Sequence, residues 1–448
     1  MRILFAISVL PHIIRAFAVN QDLSGEGQVG GHGRTVVCYV SSWAAYRPEN
    51  GNFSLTDLDP TICTHFVYAF AGLNAVTNEI RSLDPYRDLT EDYGLGWYRR
   101  LTLMKKNYPH LKVTLAVGGW NEGSQNYSIM ASDPAKRASF ISSAVKILNE
   151  HNFDGLDLDW EFPSDRGGKP EDKANFVTLV KELREAMPNK ILTSAFGASK
   201  RIIDAAYDIP TLARYLDHMH IMAYDYHGAW DRMTGPNAPL FTSDSHDPLS
   251  IAATIKHLKS LGAPSKKLVL GVPMYGRTFL LSDPSNKQAN DFGLPTQERG
   301  FKGPYTREDG FMGYNEICKE IESLGSPWSQ KWDETSKTVT AVNGDKWITY
   351  DNKKSVAKKA TYAIEEDLGG VMVWSIDTDD FRGDCSGDGG SGQEQRVYYP
   401  LVRAMNAAMT NALKHKNENQ HIEETTSSGS ASIQSAIFST IFILSRIF

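Results

Sequence analysis

Eight short apolar runs, separated by amphipathic stretches of helical length, predict an α/β fold, a (β/α)8 barrel. The runs fall near 36–41, 65–71, 112–118, 153–161, 191–198, 217–224, 267–274 and 370–376. Most are apolar without interruption, as strands buried on both faces of a parallel sheet are. Pro134 to His151 and Lys173 to Met187 typify the stretches between them. A helix there supplies the crossover that parallel neighbours need. One interval breaks this rhythm. Strand seven ends near Tyr275 and strand eight begins near Gly370, too far apart for a single crossover. Two β-like segments, Tyr275 to Leu281 and Lys346 to Tyr350, lie inside the interval. We therefore read an α+β subdomain inserted between strand 7 and helix 7, with that helix at Lys353 to Leu368.

The 448 residues divide as follows. Residues 1–18 read as a secretory signal: Arg2, an apolar run from Ile3 to Leu10, and an A-x-A site at Ala16-Phe17-Ala18. That run is well short of the roughly 20 residues a membrane span needs. Residues 19–33 form a Gly-rich, polar lead-in, 34–275 the first part of the barrel, 276–347 the insertion and 348–406 the last part of the barrel. Residues 407–448 form a polar linker and an apolar tail. Small residues from Ser427 to Ser432 followed by Ile433 to Phe448 resemble a GPI signal with a short spacer, and a frayed soluble tail fits as well. A secreted chain could use the sequons at Asn52 and Asn126.

Composition narrows the partners. Hydrophobic content of 41% and charged content of 22% belong to a globular protein with ample core. The net charge is −6 and there is no basic patch, which argues against nucleic acid as a partner. His220 and His227 flank the sixth strand, but no His/Asp pair has metal-ligand spacing, so no metal is expected. The absence of a phosphate loop or nucleotide fingerprint argues against a cofactor. A monomer is expected.

The most informative stretch runs from Phe153 to Pro163. Asp157, Asp159 and Glu161 alternate with Leu156, Leu158 and Trp160. A period of two places the three carboxyls on one strand face, roughly 6–7 Å apart along the backbone. A strand built only for stability avoids three acids in register. Such a cluster keeps at least one acid protonated near neutral pH, which a general acid requires. A solvated face or a cation site is the plainer alternative.

This stretch resembles the D-G-x-D-x-D-x-E signature of glycoside hydrolase family 18, the chitinases and chitinase-like lectins, and matches it throughout Asp154 to Glu161. Phe162-Pro163 is similar to the animal branch. Lys112 to Trp120 resembles the family's third-strand motif, Met222 to Tyr226 its sixth and Gly369 to Trp374 its eighth. The likeness spans about Val36 to Met405. Trp120, Glu161, Tyr224 and Trp374 then fall at C-terminal strand ends, where barrel active sites lie.

The resemblance implies a secreted chitinase that hydrolyses β-1,4-linked N-acetylglucosamine polymers. Family 18 is a recognised exception to two-carboxylate glycosidases: the substrate's own acetamido oxygen is the nucleophile, and configuration is retained. Glu161 would be the acid and then the base. Asp159 would orient the acetamido nitrogen, Asp157 would share a proton with Asp159, and Tyr224 would hold the acetamido oxygen. Trp374 would floor the cleavage point, with Tyr39, Trp43 and Trp120 lining further subsites. Met222, Asp225, Tyr275 and Arg277 would shape the pocket. The insertion would deepen one wall of the cleft. Four cysteines allow three pairings. The short-range one, Cys38–Cys63 with Cys318–Cys385, is economical and is the one the resembled chitinases use. Two rivals remain: a non-catalytic lectin, and an endo-β-N-acetylglucosaminidase acting on N-glycans.

Overall fold

A computed structural model describes residues 29, 32–244, 247–285, 290–323, 325–386 and 396–419. The segments read as a signal, most of the lead-in and the apolar tail lie outside the described residues. Eight parallel strands close a barrel. They are β1 (Thr35–Ser41), β2 (His65–Leu73), β3 (Lys112–Gly118), β4 (Gly155–Asp159), β5 (Ile191–Gly197), β6 (His218–Met222), β7 (Leu268–Pro273) and β8 (Gly370–Trp374). Each pairs with its sequence neighbour, and β8 returns to β1 with Val37 opposite Met372. The expected (β/α)8 barrel is thus the observed fold.

Helices cover the outside, and their ends follow from sequence. Asp133 caps Pro134–Glu150, accepting from Ala135 N at 2.8 Å, and Pro134 occupies the first helical position. Asn352 caps Lys353–Glu365 in the same way. Leu156 and Leu158 point outward into this helical layer and are fully buried. The interior is mixed. Val37, Val67, Ala69, Ala116, Val269 and Met372 form an apolar cluster, and Tyr39 crosses it to reach polar groups on β4 and β6.

One strand is shorter than its sequence suggests. The period-two pattern continues to Glu161, but β4 ends at Asp159. Trp160 leaves the sheet outward, where its Nε1 donates to Ser124 Oγ at 3.0 Å and its ring meets Phe176 edge-on. Glu161 therefore stands just beyond the strand, at the rim.

Between β7 and β8 a second, antiparallel sheet forms, ordered Phe311–Gly313, Tyr275–Leu280, Lys346–Tyr350, Thr338–Asn343 and Ser329–Asp333. Tyr275 follows β7 after a single intervening residue, so this sheet starts at the C-terminal end of the barrel. Disulfides join Cys38 to Cys63 and Cys318 to Cys385. The second ties the helix Tyr314–Glu320 to the segment after β8. A last helix spans 400–419.

Candidate active site

The three acids of the signature are arranged very differently. Asp157 is wholly buried and surrounded by donors. Tyr39 Oη donates to its Oδ2 at 2.7 Å, Thr193 Oγ1 donates to Oδ1 at 2.5 Å, and His220 Nδ1 lies 3.3 Å from Oδ1. A phenol has one hydrogen. With that hydrogen on Asp157, the 2.9 Å contact between Tyr39 Oη and His220 Nδ1 makes Nδ1–H the donor, which fixes the histidine tautomer. Burial alone would raise the Asp157 pKa, but the bonds from His220, Thr193 and Tyr39 outweigh it and leave the value lowered.

Asp159 is also buried, yet its Oδ1 has no hydrogen-bond partner among the described residues. Burial, then the neighbouring Glu161 and Asp157, push its pKa well up. Glu161 is pushed up to about 7, mainly by burial; Arg166 opposes the rise and Asp225 adds to it. The surroundings thus favour charge on Asp157 and a proton on Asp159, with Glu161 pushed up to about 7.

Beside them, the Tyr224 hydroxyl has as its hydrogen-bond partner among the described residues a weak acceptor, the Met372 sulfur at 3.9 Å. Burial and the carboxylates around it keep its phenol protonated, so it is a donor aimed into the site. Asp225 adopts the left-handed region, φ 58°, with its N–H donating to Asn237 Oδ1 at 2.9 Å. Its carboxylate receives Tyr275 Oη at 2.6 Å and both Arg277 Nε and Nη2 at 2.7 Å. This bidentate fork fastens the insertion sheet to the barrel mouth.

Aromatic rings complete the site. Trp374 stacks on Phe70 and Phe70 on Trp43, each pair with centroids 5.8 Å apart. Trp43 is 42% exposed, Trp120 58% and Trp230 54%. Such open indoles offer flat apolar faces at the rim. Gly118 and Gly119 make the approach to Trp120 possible. A Cβ at Gly118 would lie 2.2 Å from the Asp159 carbonyl oxygen, and one at Gly119 2.6 Å from the Phe70 ring. Both glycines have positive φ.

Most of the residues picked out from the sequence meet at the C-terminal ends of the strands: Asp157, Asp159, Glu161, Tyr224, Met222, Asp225, Tyr275, Arg277, Trp43, Trp120 and Trp374. Tyr39 packs edge-on against Trp374, with ring centroids 5.4 Å apart. Expected to line a sugar subsite, it is 1% exposed and lies beneath the acids, its hydroxyl spent on Asp157. Several residues of the site carry no signal of it in the sequence, Thr193 and Arg166 among them. For His220 the sequence raises only metal-ligand spacing, whereas the structure sets its Nδ1 beside Asp157. Phe70, Trp230 and Asn237 lie in segments whose periodicity says nothing about the site. Asn52 and Asn126 are both exposed.

Comparison with known proteins agrees with this geometry. The family model for glycosyl hydrolases family 18 matches residues 35–379. The chain is 49% identical over 397 residues to "Probable chitinase 2" of Drosophila melanogaster, covering 84% of this chain and 81% of that one. It is 37% identical to an endochitinase of Manduca sexta, covering 78% of this chain but only 64% of the relative. Among solved structures, the Group IV chitinase of Ostrinia furnacalis in complex with allosamidin is 41% identical, with a TM-score of 0.78 over 85% of this chain and 99% of that one. Human YKL-39, described as a pseudo-chitinase with retained chitooligosaccharide binding, is 30% identical, with a TM-score of 0.74 over 84% of this chain and 99% of that one.

Proposed function

The chain belongs to family 18 of the glycosyl hydrolases, and on that premise we propose that it hydrolyses the β-1,4 bonds of chitin and chito-oligosaccharides with retention of configuration. The observation that carries this reading is the unequal treatment of the three acids: a saturated Asp157, a buried Asp159 with a free Oδ1, and Glu161 near 7. Glu161 protonates the glycosidic oxygen as the bond to the anomeric carbon breaks. The substrate's acetamido oxygen bonds to that carbon, giving an oxazolinium ion. Asp159 Oδ1 accepts the acetamido N–H, the group on which positive charge develops. Tyr224 donates to the acetamido oxygen and aims it. Glu161, now a carboxylate, takes a proton from water, whose oxygen opens the oxazolinium from the same face. The nucleophile is tethered to the substrate, so proximity supplies much of the rate.

Trp374 is the floor of this site, with Trp43 and Trp120 as further sugar platforms. Secretion is part of the proposal, supported by the two disulfides. Among the described residues no helix is long and apolar enough to cross a membrane. The GPI reading of the tail is tested by release of a surface-bound pool with phosphatidylinositol-specific lipase.

The decisive experiment compares turnover of N-acetylglucosamine oligomers by the protein and by Glu161→Gln, with products resolved by anomer. β-Anomer products that vanish in the variant support the proposal. Binding without turnover in both proteins overturns it in favour of a lectin.

A further inference from the structure

The loop after Glu161 carries an arginine that the reaction above does not use. Arg166 adopts the left-handed region at φ 50°, which disfavours any residue with a Cβ. Its side chain makes three contacts at once. Nη1 donates to the Trp120 carbonyl oxygen at 2.8 Å and to the Glu161 carbonyl oxygen at 3.1 Å. The guanidinium carbon also lies over the Trp120 ring, 3.4 Å from its centroid.

The loop itself is well fastened. Asp165 accepts the Arg166 N–H at 2.7 Å and pairs with Arg201 at 2.8 Å. Ser124 N donates to the Arg166 carbonyl at 3.4 Å, and Ser124 Oγ to the Phe162 carbonyl at 2.7 Å. Backbone strain of this kind persists where its surroundings over-determine it, and such places are often functional.

Two consequences follow from the contacts. First, an exposed indole normally loses rotamer freedom when a ligand stacks on it. Here the guanidinium already holds one face and the backbone beside it, while Trp120 stays 58% exposed. A platform fixed in advance loses less entropy on binding. Second, Arg166 is the cation among the groups acting on Glu161. Asp159 lies on its own strand, Asp225 follows β6, and Tyr224 and Tyr207 border the same space.

We infer that Arg166 is a positioning residue for the reaction, one that joins the Trp120 sugar platform to the acid Glu161. The inference rests on the reading of Glu161 as the acid and Trp120 as a platform. Its two parts need different chemistry. The stack needs a planar guanidinium, whereas the effect on Glu161 needs only a positive charge.

The test is Arg166→Ala and Arg166→Lys, assayed beside Glu161→Gln on the N-acetylglucosamine hexamer and on a short soluble substrate. In Arg166→Ala, KM for the hexamer rises about tenfold, as loss of a cation–π and packing contact implies, and KM for the short substrate barely changes. The alkaline limb of its kcat/KM profile moves to higher pH, because an acid without a nearby cation keeps its proton longer. Arg166→Lys restores the alkaline limb but not the hexamer KM. An unchanged limb and hexamer KM in both variants overturns the inference. So does an equal loss on both substrates with a fall in melting temperature, which would make Arg166 a loop staple only. Activity in Glu161→Gln would instead sink the underlying reading of the acid, so the two failures are distinguishable.

Discussion

Tyr39 donates its hydroxyl hydrogen to Asp157 Oδ2 across 2.7 Å, from β1 to a strand on another side of the barrel. Together with Thr193 and His220, this bond lowers the Asp157 pKa, while burial and the acids beside it raise that of Asp159. Tyr39→Phe removes the hydroxyl but keeps the ring against Trp374, where the centroids are 5.4 Å apart. Stability should fall by about 1–2 kcal/mol, the cost of leaving a buried carboxylate one donor short. The larger effect should be on kcat, with KM little changed, because Asp157 then competes with Asp159 for the proton. Thermal unfolding and steady-state kinetics on one preparation separate the two effects.

The pH profile follows from Glu161. Burial raises its pKa to about 7, and the first step needs it protonated. Activity should therefore decline above pH 7, by tenfold per pH unit once the acid is mostly ionised. Asp225 is one of the charges that raises the Glu161 value. Asp225→Asn removes that charge, so the alkaline limb should move to lower pH. An upward movement would show that Glu161 is not the group that titrates.

The barrel was legible because its strands are buried on both faces and read as continuous apolar runs, so β3 over 112–118 was placed to the residue. Asp157, Asp159 and Glu161 were legible because an acid every second residue has no structural reason. What the sequence does not display is the set of contacts made across the closed barrel. Tyr39 looks like a rim aromatic until the sheet closes and its hydroxyl meets Asp157 from across the interior. His220 has the same history: nothing near it in sequence marks it, and only the alignment of β4, β5 and β6 brings Nδ1 to the carboxylate. Arg166 was missed because its two partners, Trp120 and Glu161, come from different strand ends. The end of β4 was misplaced because Trp160 keeps the alternating pattern after leaving the sheet.

Asp379 fixes the last helix. Its carboxylate accepts from Leu401 N at 3.1 Å, Val402 N at 3.1 Å and Asp380 N at 2.8 Å, inside the fold. Burial raises its pKa to about 7. Between about pH 4, the ordinary value of an unfolded carboxyl, and pH 7, the folded state holds a proton that the unfolded chain has lost. Its contribution is thus full below about pH 4 and lost as pH rises through 7. Asp379→Ala should cost about 1–2 kcal/mol at pH 5, as loss of a helix cap does. The gap to wild type should narrow at pH 8. Denaturant unfolding at the two pH values measures this, and a gap that widens would show that the carboxylate is better accommodated than the acid.

Lys359 and Asp351 form an ion pair with both side chains at 0% exposure. Asp351 follows the insertion strand Lys346–Tyr350, and Lys359 lies on the barrel helix Lys353–Glu365. The pair therefore sits where the two sheets' supports meet, and Asp351 Oδ2 has no further partner among the described residues. Burial opposes the charge on Lys359, lowering its pKa despite the carboxylate beside it. Removing one partner leaves the other charged in an apolar interior, so Lys359→Met should cost about 3–5 kcal/mol. Replacing both, as Lys359→Met with Asp351→Leu, should recover most of that loss or exceed the wild type, because the desolvation of two ions is no longer incurred. Neither protein should change the kcat of the purified folded enzyme, since neither residue touches the site. A double variant as unstable as the single one would mean that the pair specifies how the insertion joins the barrel, beyond satisfying its own charges.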